Sequence, residues 1–390
     1  MILICNANVF GPEELGKNDV LIGGNQILAI EKKIDPKILP GKVRRIDASG
    51  MFVVPGFIDG HQHFTGGGGE GGFQSKTPEM QLSMNIVNGV TTAVGLLGTD
   101  CLTRNVENLY AKTQAFNAEG ITALMLTGSY WLPSPTICGS VGRDMVYLSP
   151  VIGVKLAMAD HRGPVFDEKD LATLASEVRV AALIAAKPGV ITVHMGMDSD
   201  GLDRIFGVEK KYAIRPDMFV PTHVNRKNSR LQDQSLELAA KGAVIDATCI
   251  NGLPKKGDQQ ISAAEFACLA DENDLFDQVS FSSDADGSQP RWNADRTRLL
   301  GMGMGTSQSL LFELKQLVQV RGMGLAKALQ PLTTTPARAY GLTGQKGKIV
   351  VGAHADILVL DGDTLGIRDV LAKGQVMMQN QKLEKKGYYE

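Results

Sequence analysis

No apolar stretch of the chain reaches the roughly 18 residues that a membrane-spanning helix needs. Neither sign of charge dominates: 40 basic and 42 acidic residues leave a net charge of −2, and basic residues gather only in pairs such as Lys255-Lys256. That excludes the basic face that a nucleic acid or an anionic membrane would require. The five cysteines, Cys5, Cys101, Cys138, Cys249 and Cys268, are odd in number, dispersed, and without C-x-x-C spacing. They read as reduced thiols of a cytoplasmic protein. The amino-terminal MILICNANVF has no basic leader and no small-residue cleavage site, so it reads as a strand rather than a targeting segment. There is no low-complexity segment. Hydrophobic residues at 43% and charged residues at 21% are ordinary for a soluble enzyme.

A phosphate site is also missing. Gly67, Gly69 and Gly72 satisfy G-x-G-x-x-G, but two histidines separate them from the preceding strand, no helix opens on them, and no Lys-Ser/Thr pair follows. Glu70 would put negative charge where a pyrophosphate should lie. The loop fits better as bare backbone that a small substrate approaches closely, with Glu70 aimed at it.

The stretch carrying chemistry is VVPGFIDGHQHFTGGGGEGG, Val53 to Gly72. An apolar run from Met51 to Ile58 reads as a buried strand that leads into His61-Gln62-His63. On extended backbone residues two apart point the same way, so His61 and His63 can grip one metal ion. Such a pair alone is more often structural. Its place at a strand end favours a metal, because α/β barrels and open α/β sheets keep their chemistry there.

Residues 1 to about 52 hold short strand-like runs. From Val53 the rhythm becomes strand, loop, helix, with strands expected at 53–58, 90–97, 121–127, 150–156, 190–194, 218–223, 244–248 and 279–283. Helical patterns intervene at 78–88, 106–119, 168–186 and 235–241, and two more follow at 307–320 and 324–329. Eight strands alternating with helices over about 250 residues predict a TIM-like (β/α)8 barrel. The tail returns to strand chemistry at 347–360 and 370–378. We therefore expect a β-sandwich domain formed by residues 1–52 and 336–390, beside a metal-dependent barrel of residues 53–335.

Further ionisable residues close the expected strands: His194 the fifth, His223 the sixth, Asp284 the eighth. Lys155 ends the fourth, VIGVK, on an inward face where a lysine is costly unless paired or chemically altered. An interior salt bridge is one reading. Beside four histidines and an aspartate, the other is a neutral amine that takes up CO2 and becomes an anionic bridge between two metals.

PGFIDGHQH, the strand-end Lys155, His194, His223, Asp284 and the tail GKIVVGAHADILVLD together resemble the amidohydrolase superfamily over essentially the whole length. More narrowly, GGGGEGG, VGLLGTD, MLTGSY, VIGVKLAMADHR, PTHVNR and SSDADGSQP are similar to the isoaspartyl dipeptidase family. That resemblance implies two zinc ions, His61, His63 and Asp284 on one, His194 and His223 on the other, and carboxylated Lys155 bridging both. It implies hydrolysis of the β-amide bond of isoaspartyl dipeptides by a metal-bridging hydroxide, in a homo-oligomer.

Residue chemistry agrees with the implied roles. Asp284 can accept the proton of the attacking water and pass it to the amine, and Tyr130 can donate to the developing oxyanion. Arg162 and Arg226 suit a substrate carboxylate, and Glu70 a free amino group. Ser288, Thr99 and Gly68 complete the expected substrate contacts. His161 and His354 are assigned to structure. The loop Cys249 to Gln260 departs from the family pattern and carries no ligand, so a difference there would fall on leaving-residue preference. An amidohydrolase acting on a cyclic imide or an N-acyl amino acid is the alternative; the arginines and Glu70 favour a zwitterion instead. A catalytically dead scaffold would lack ligands, and all six are present.

Overall fold

The computed structural model describes residues 1–254, 258–293, 295 and 297–390. Eight parallel strands follow one another in sheet order: β1 (Phe57–Gln62), β2 (Val90–Gly95), β3 (Thr122–Gly128), β4 (Val151–Met158), β5 (Val190–Met195), β6 (Phe219–Thr222), β7 (Ile245–Thr248) and β8 (Val279–Ser282). The ends of the sheet approach each other where Gln62 bridges Ala285 in parallel and His63 N donates to Ala285 O at 2.9 Å. The buried Asp59 carboxylate helps to tie this seam, accepting from Ser283 N at 3.1 Å and Gln62 Nε2 at 2.8 Å.

The helices start where the sequence supplies caps. Asn105, Ser140, Asp167, Asn228 and Ser262 each accept from a backbone N–H three residues on, opening helices at Val106–Glu119, Val141–Tyr147, Glu168–Ala185, Ser229–Ala240 and Ala263–Asp271. Their apolar sides, Phe116, Leu171, Leu238 and Phe266 among them, join one core with outward strand residues such as Val154, Val193 and Ile245. Short helices at Val141–Tyr147, Asp203–Tyr212 and Ala263–Asp271 fill connections between β3 and β4, β5 and β6, and β7 and β8, in keeping with the expected alternation. Among the described residues no helix is long and apolar enough to cross a membrane.

The run 51–58 is two strands, not one. Met51–Pro55 pairs antiparallel with Ile357–Asp361, joining the two ends of the chain into a nine-stranded sheet beside the barrel, and barrel strand β1 begins only at Phe57. Pro55 has no N–H to extend the ladder. At Gly56 a Cβ would stand 2.2 Å from Thr91 Oγ1, so only glycine turns this corner. His61 consequently lies inside β1, with His63 just beyond it. A second unexpected element is a hairpin after β8, made of β9 (Ser288–Trp292) and β10 (Leu299–Met304).

Candidate active site

The period of two makes the barrel's inner face progressively more polar towards the strands' carboxyl ends. Along β5 it carries Val190, Thr192 and His194, and along β7 Asp246 and Thr248. Val190, Val220, Val244 and Tyr340 form an apolar cluster at the other end. A cavity of about 690 Å³ opens above the polar end.

His61, His63 and Asp284 meet at its floor, with one ligand atom of each within 4.8 Å of the others. Asp284 Oδ1 lies 3.2 Å from His61 Nε2 and 3.1 Å from His63 Nε2. The His194 ring stacks edge-on to His223 at 4.5 Å between centroids, and His223 lies 5.2 Å from His61. Both His223 (φ 66°) and Asp284 (φ 50°) adopt left-handed backbone, a strained conformation for non-glycine residues that occurs here at the candidate ligands.

Each imidazole is oriented through its other nitrogen. His61 Nδ1 lies 3.1 Å from Thr222 Oγ1, which itself donates to Asp246 Oδ2 at 2.7 Å; Ser282 Oγ donates to the same oxygen at 2.6 Å. His223 Nδ1 lies 2.6 Å from Thr248 Oγ1. His194 is reversed: Nε2 faces Asp160 Oδ2 at 2.9 Å, and Nδ1 faces Tyr130 Oη at 2.7 Å. Burial holds His61 and His223 well below the usual imidazole range and pushes His194 down to about 3 against the pull of Asp160. Neutral rings of this kind offer a lone pair to a metal. Asp246, by the same burial, is pushed up to about 7.

Lys155 is fully buried and its Nζ has no hydrogen-bond partner among the described residues. Burial lowers its pKa from 10.5 to about 7, with Asp284 and Asp246 opposing. Among the described residues Lys155 forms no interior salt bridge, the reading that the sequence left open. A buried amine whose pKa is brought down to about 7, set among four histidines and an aspartate, fits a metal centre that needs one more anionic bridge.

Above this floor the charged loop residues converge. Glu70 Oε1 accepts from Arg162 Nη1 at 3.1 Å, Ser288 Oγ at 2.9 Å and Thr99 Oγ1 at 3.4 Å. Arg162 also lies over the Tyr130 ring at 5.8 Å. Arg226 lines the same cavity, and its buried Nε has no hydrogen-bond partner among the described residues. Gly68, in left-handed backbone at φ 81°, adds bare main chain to the wall. Burial raises the Tyr130 hydroxyl above its ordinary pKa, so it remains a proton donor. Of the two histidines assigned to structure, His161 lies at the mouth, 3.5 Å from Asp160, and His354 bridges Gln26 near the terminal sheet.

The sequence reading missed Asp160, Asp246, Thr222 and Thr248, which orient the histidines. It also missed the hairpin, whose Leu300, Met302 and Met304 give the cavity apolar lining together with Ile250 and Leu253. The Cys249 to Gln260 loop thus does border the site; Lys255, Lys256 and Gly257 within it lie outside the described residues.

This architecture, histidines and a carboxylate around a buried lysine at the carboxyl end of a parallel barrel, is that of the amidohydrolases, and the amidohydrolase family model matches residues 220–385. The chain is 36% identical to a β-aspartyl dipeptidase from Fervidobacterium islandicum AW-1, solved in complex with a β-Asp-Leu dipeptide; the match covers 98% of this chain and 97% of that one, with a TM-score of 0.93. The chain therefore belongs to the β-aspartyl dipeptidase family of the amidohydrolase superfamily, a family of hydrolytic enzymes. Two curated relatives match at lower identity. An L-hydantoinase from Paenarthrobacter aurescens is 24% identical over 93% of this chain and 86% of its own length. A dihydroorotase from Streptococcus pyogenes is 32% identical over 141 residues, so the chain matches about a third of that relative's length (32%) and 31% of itself aligns.

Proposed function

We propose that the chain is a binuclear zinc dipeptidase that hydrolyses the β-amide bond of isoaspartyl dipeptides. The observation that carries this reading is the pairing of Glu70 with Arg162 directly above the histidine cluster. An acid and a guanidinium side by side match a substrate bearing both a free ammonium and a free carboxylate. The β-Asp-Leu bound by the Fervidobacterium relative has those groups.

His61, His63 and Asp284 would hold one ion, His194 and His223 the other, and Lys155 as its carbamate would bridge them. Bound there, the metals would polarise the scissile carbonyl and bring a shared water to hydroxide near neutral pH. The remaining steps belong to the chain. Glu70, with Ser288 and Thr99 around it, takes the ammonium of the isoaspartyl residue. Arg162 and Arg226 take the carboxylate of the leaving residue, so the β-carbonyl is presented towards Asp284 and Tyr130. Asp284 receives the proton of the attacking water and delivers it to the departing amine. Tyr130, a protonated donor beside His194, stabilises the oxygen on which negative charge develops.

The likeness to the hydantoinase, spanning 93% of this chain, favours a second reading, hydrolysis of a cyclic amide. A neutral ring would offer neither Glu70 nor Arg162 a charged partner. Zinc-loaded protein offered β-aspartyl-leucine, α-aspartyl-leucine and a hydantoin separates the two readings. Rapid, chelator-sensitive cleavage of the β-dipeptide alone is expected. Ring opening without dipeptide cleavage would refute the dipeptidase reading.

A further inference from the structure

We propose that Asp160 is a positioning residue that joins the metal centre to the substrate-carboxylate site, by fixing the proton of His194 on Nε2 while it clamps Arg162. The inference rests on the metal and arginine roles argued above. Asp160 is 5% exposed in its side chain, and its carboxylate is shared between His194 and Arg162. Oδ2 faces both His194 Nε2 at 2.9 Å and Arg162 Nη2 at 2.8 Å. Oδ1 accepts from Arg162 Nε at 3.0 Å and from the Arg162 backbone N–H at 2.9 Å, while His161 Nδ1 stands 3.5 Å off on the open side.

The backbone is shaped to bring this carboxylate in. Ala159, just before it, is in left-handed conformation at φ 52°. At the end of β5, Gly196 passes so close that a Cβ would stand 1.9 Å from Ala159 O and 2.5 Å from Asp160 Cα. Gly196 N and Asp198 N donate to Met158 O and Ala159 O, both at 2.9 Å, which pins the end of β4 to the end of β5.

The chemistry follows from the tautomer. An ionised carboxylate can only accept, so the His194 nitrogen facing it carries the proton, and Nδ1 keeps its lone pair. Tyr130 Oη, a donor, sits 2.7 Å from that lone pair, which agrees. His194 therefore presents Nδ1 to a metal, whereas His61 and His223, held through Nδ1 by threonine hydroxyls, present Nε2. A carboxylate behind a ligating imidazole raises its basicity and fixes the ring. The same carboxylate also holds the Arg162 guanidinium, so one residue sets both the metal-facing ring and the substrate-carboxylate arginine.

The test uses the full-length zinc-loaded enzyme and compares Asp160→Asn with Arg162→Met. Zinc per subunit is followed against a competing chelator, and kcat and KM are measured on β-aspartyl-leucine. Asp160→Asn is expected to weaken one of the two zinc ions about 10- to 100-fold and to lower kcat. Arg162→Met should raise KM and leave both zinc affinities within about twofold. An Asp160→Asn enzyme with both zinc ions at wild-type affinity and only KM raised would overturn the proposal, since Asp160 would then merely anchor the arginine. Should the variant fail to fold, nitrogen NMR of histidine-labelled wild-type enzyme decides the matter. The His194 proton is expected on Nε2, and a proton on Nδ1 refutes it. Neither zinc retention nor the tautomer involves the dipeptide, so a wrong substrate assignment would appear separately, as absent cleavage.

Discussion

Lys155→Met should reverse sign with metal: it stabilises the metal-free protein and destabilises the zinc-loaded one. Methionine nearly matches the lysine in volume and removes a buried amine that has no hydrogen-bond partner among the described residues. The depressed pKa sets the size of the effect. The unfolded chain holds the lysine proton up to pH 10.5, the folded chain only to about 7. The native state therefore bears the full cost below pH 7, about 5 kcal/mol. The cost shrinks as pH rises from about 7 to 10.5 and vanishes above. At pH 8 it is about 3 kcal/mol. Denaturant unfolding of chelator-treated protein should show the variant more stable at pH 7–8, with the gap closing as pH rises. With zinc the order inverts, because a ligand stabilises only the fold that can hold it, and the variant cannot form the carbamate. A metal-free variant no more stable than wild type at pH 7 would refute the reasoning, since Lys155 would then be paired or already neutral at no cost.

Three further outcomes are expected. Glu70→Gln should keep both zinc ions while kcat/KM on β-aspartyl-leucine falls about 100-fold or more, the loss typical of an unpaired buried charge; zinc analysis and steady-state kinetics check it, and near-normal turnover would remove Glu70 from the ammonium site. Tyr130→Phe should lower kcat by about 10²- to 10³-fold with KM little changed, as for loss of one oxyanion donor; an equal rise in KM with kcat intact would assign the hydroxyl to ground-state binding. Arg226→Met should raise KM for β-aspartyl-leucine but not for its C-terminal amide. If the variant weakened both substrates equally, Arg226 would not be gripping that carboxylate.

What could be read before folding was whatever local pattern dictates. The apolar runs at 90–97, 150–156 and 190–194 are strands because no other element buries so many consecutive branched residues, and His194 and Lys155 face inward because side chains alternate. The break at Gly56 was invisible, since its cause is Thr91, a residue of the neighbouring strand. The hairpin was invisible because Ser288 to Met304 is poor in branched residues, and the six residues 293–298 between its strands carry no short turn motif. Asp160 is the instructive case. In ADHR, an acid two residues before an arginine reads as a solvated ion pair, and most such pairs are. What makes this one functional is the approach of β5 to β4, with Gly196 leaving the space for it, and that contact exists only once strand residues 37 positions apart lie side by side. Ligands announce themselves by type and strand position. The groups that fix their protons are ordinary residues, and their role comes from the neighbour that the fold supplies.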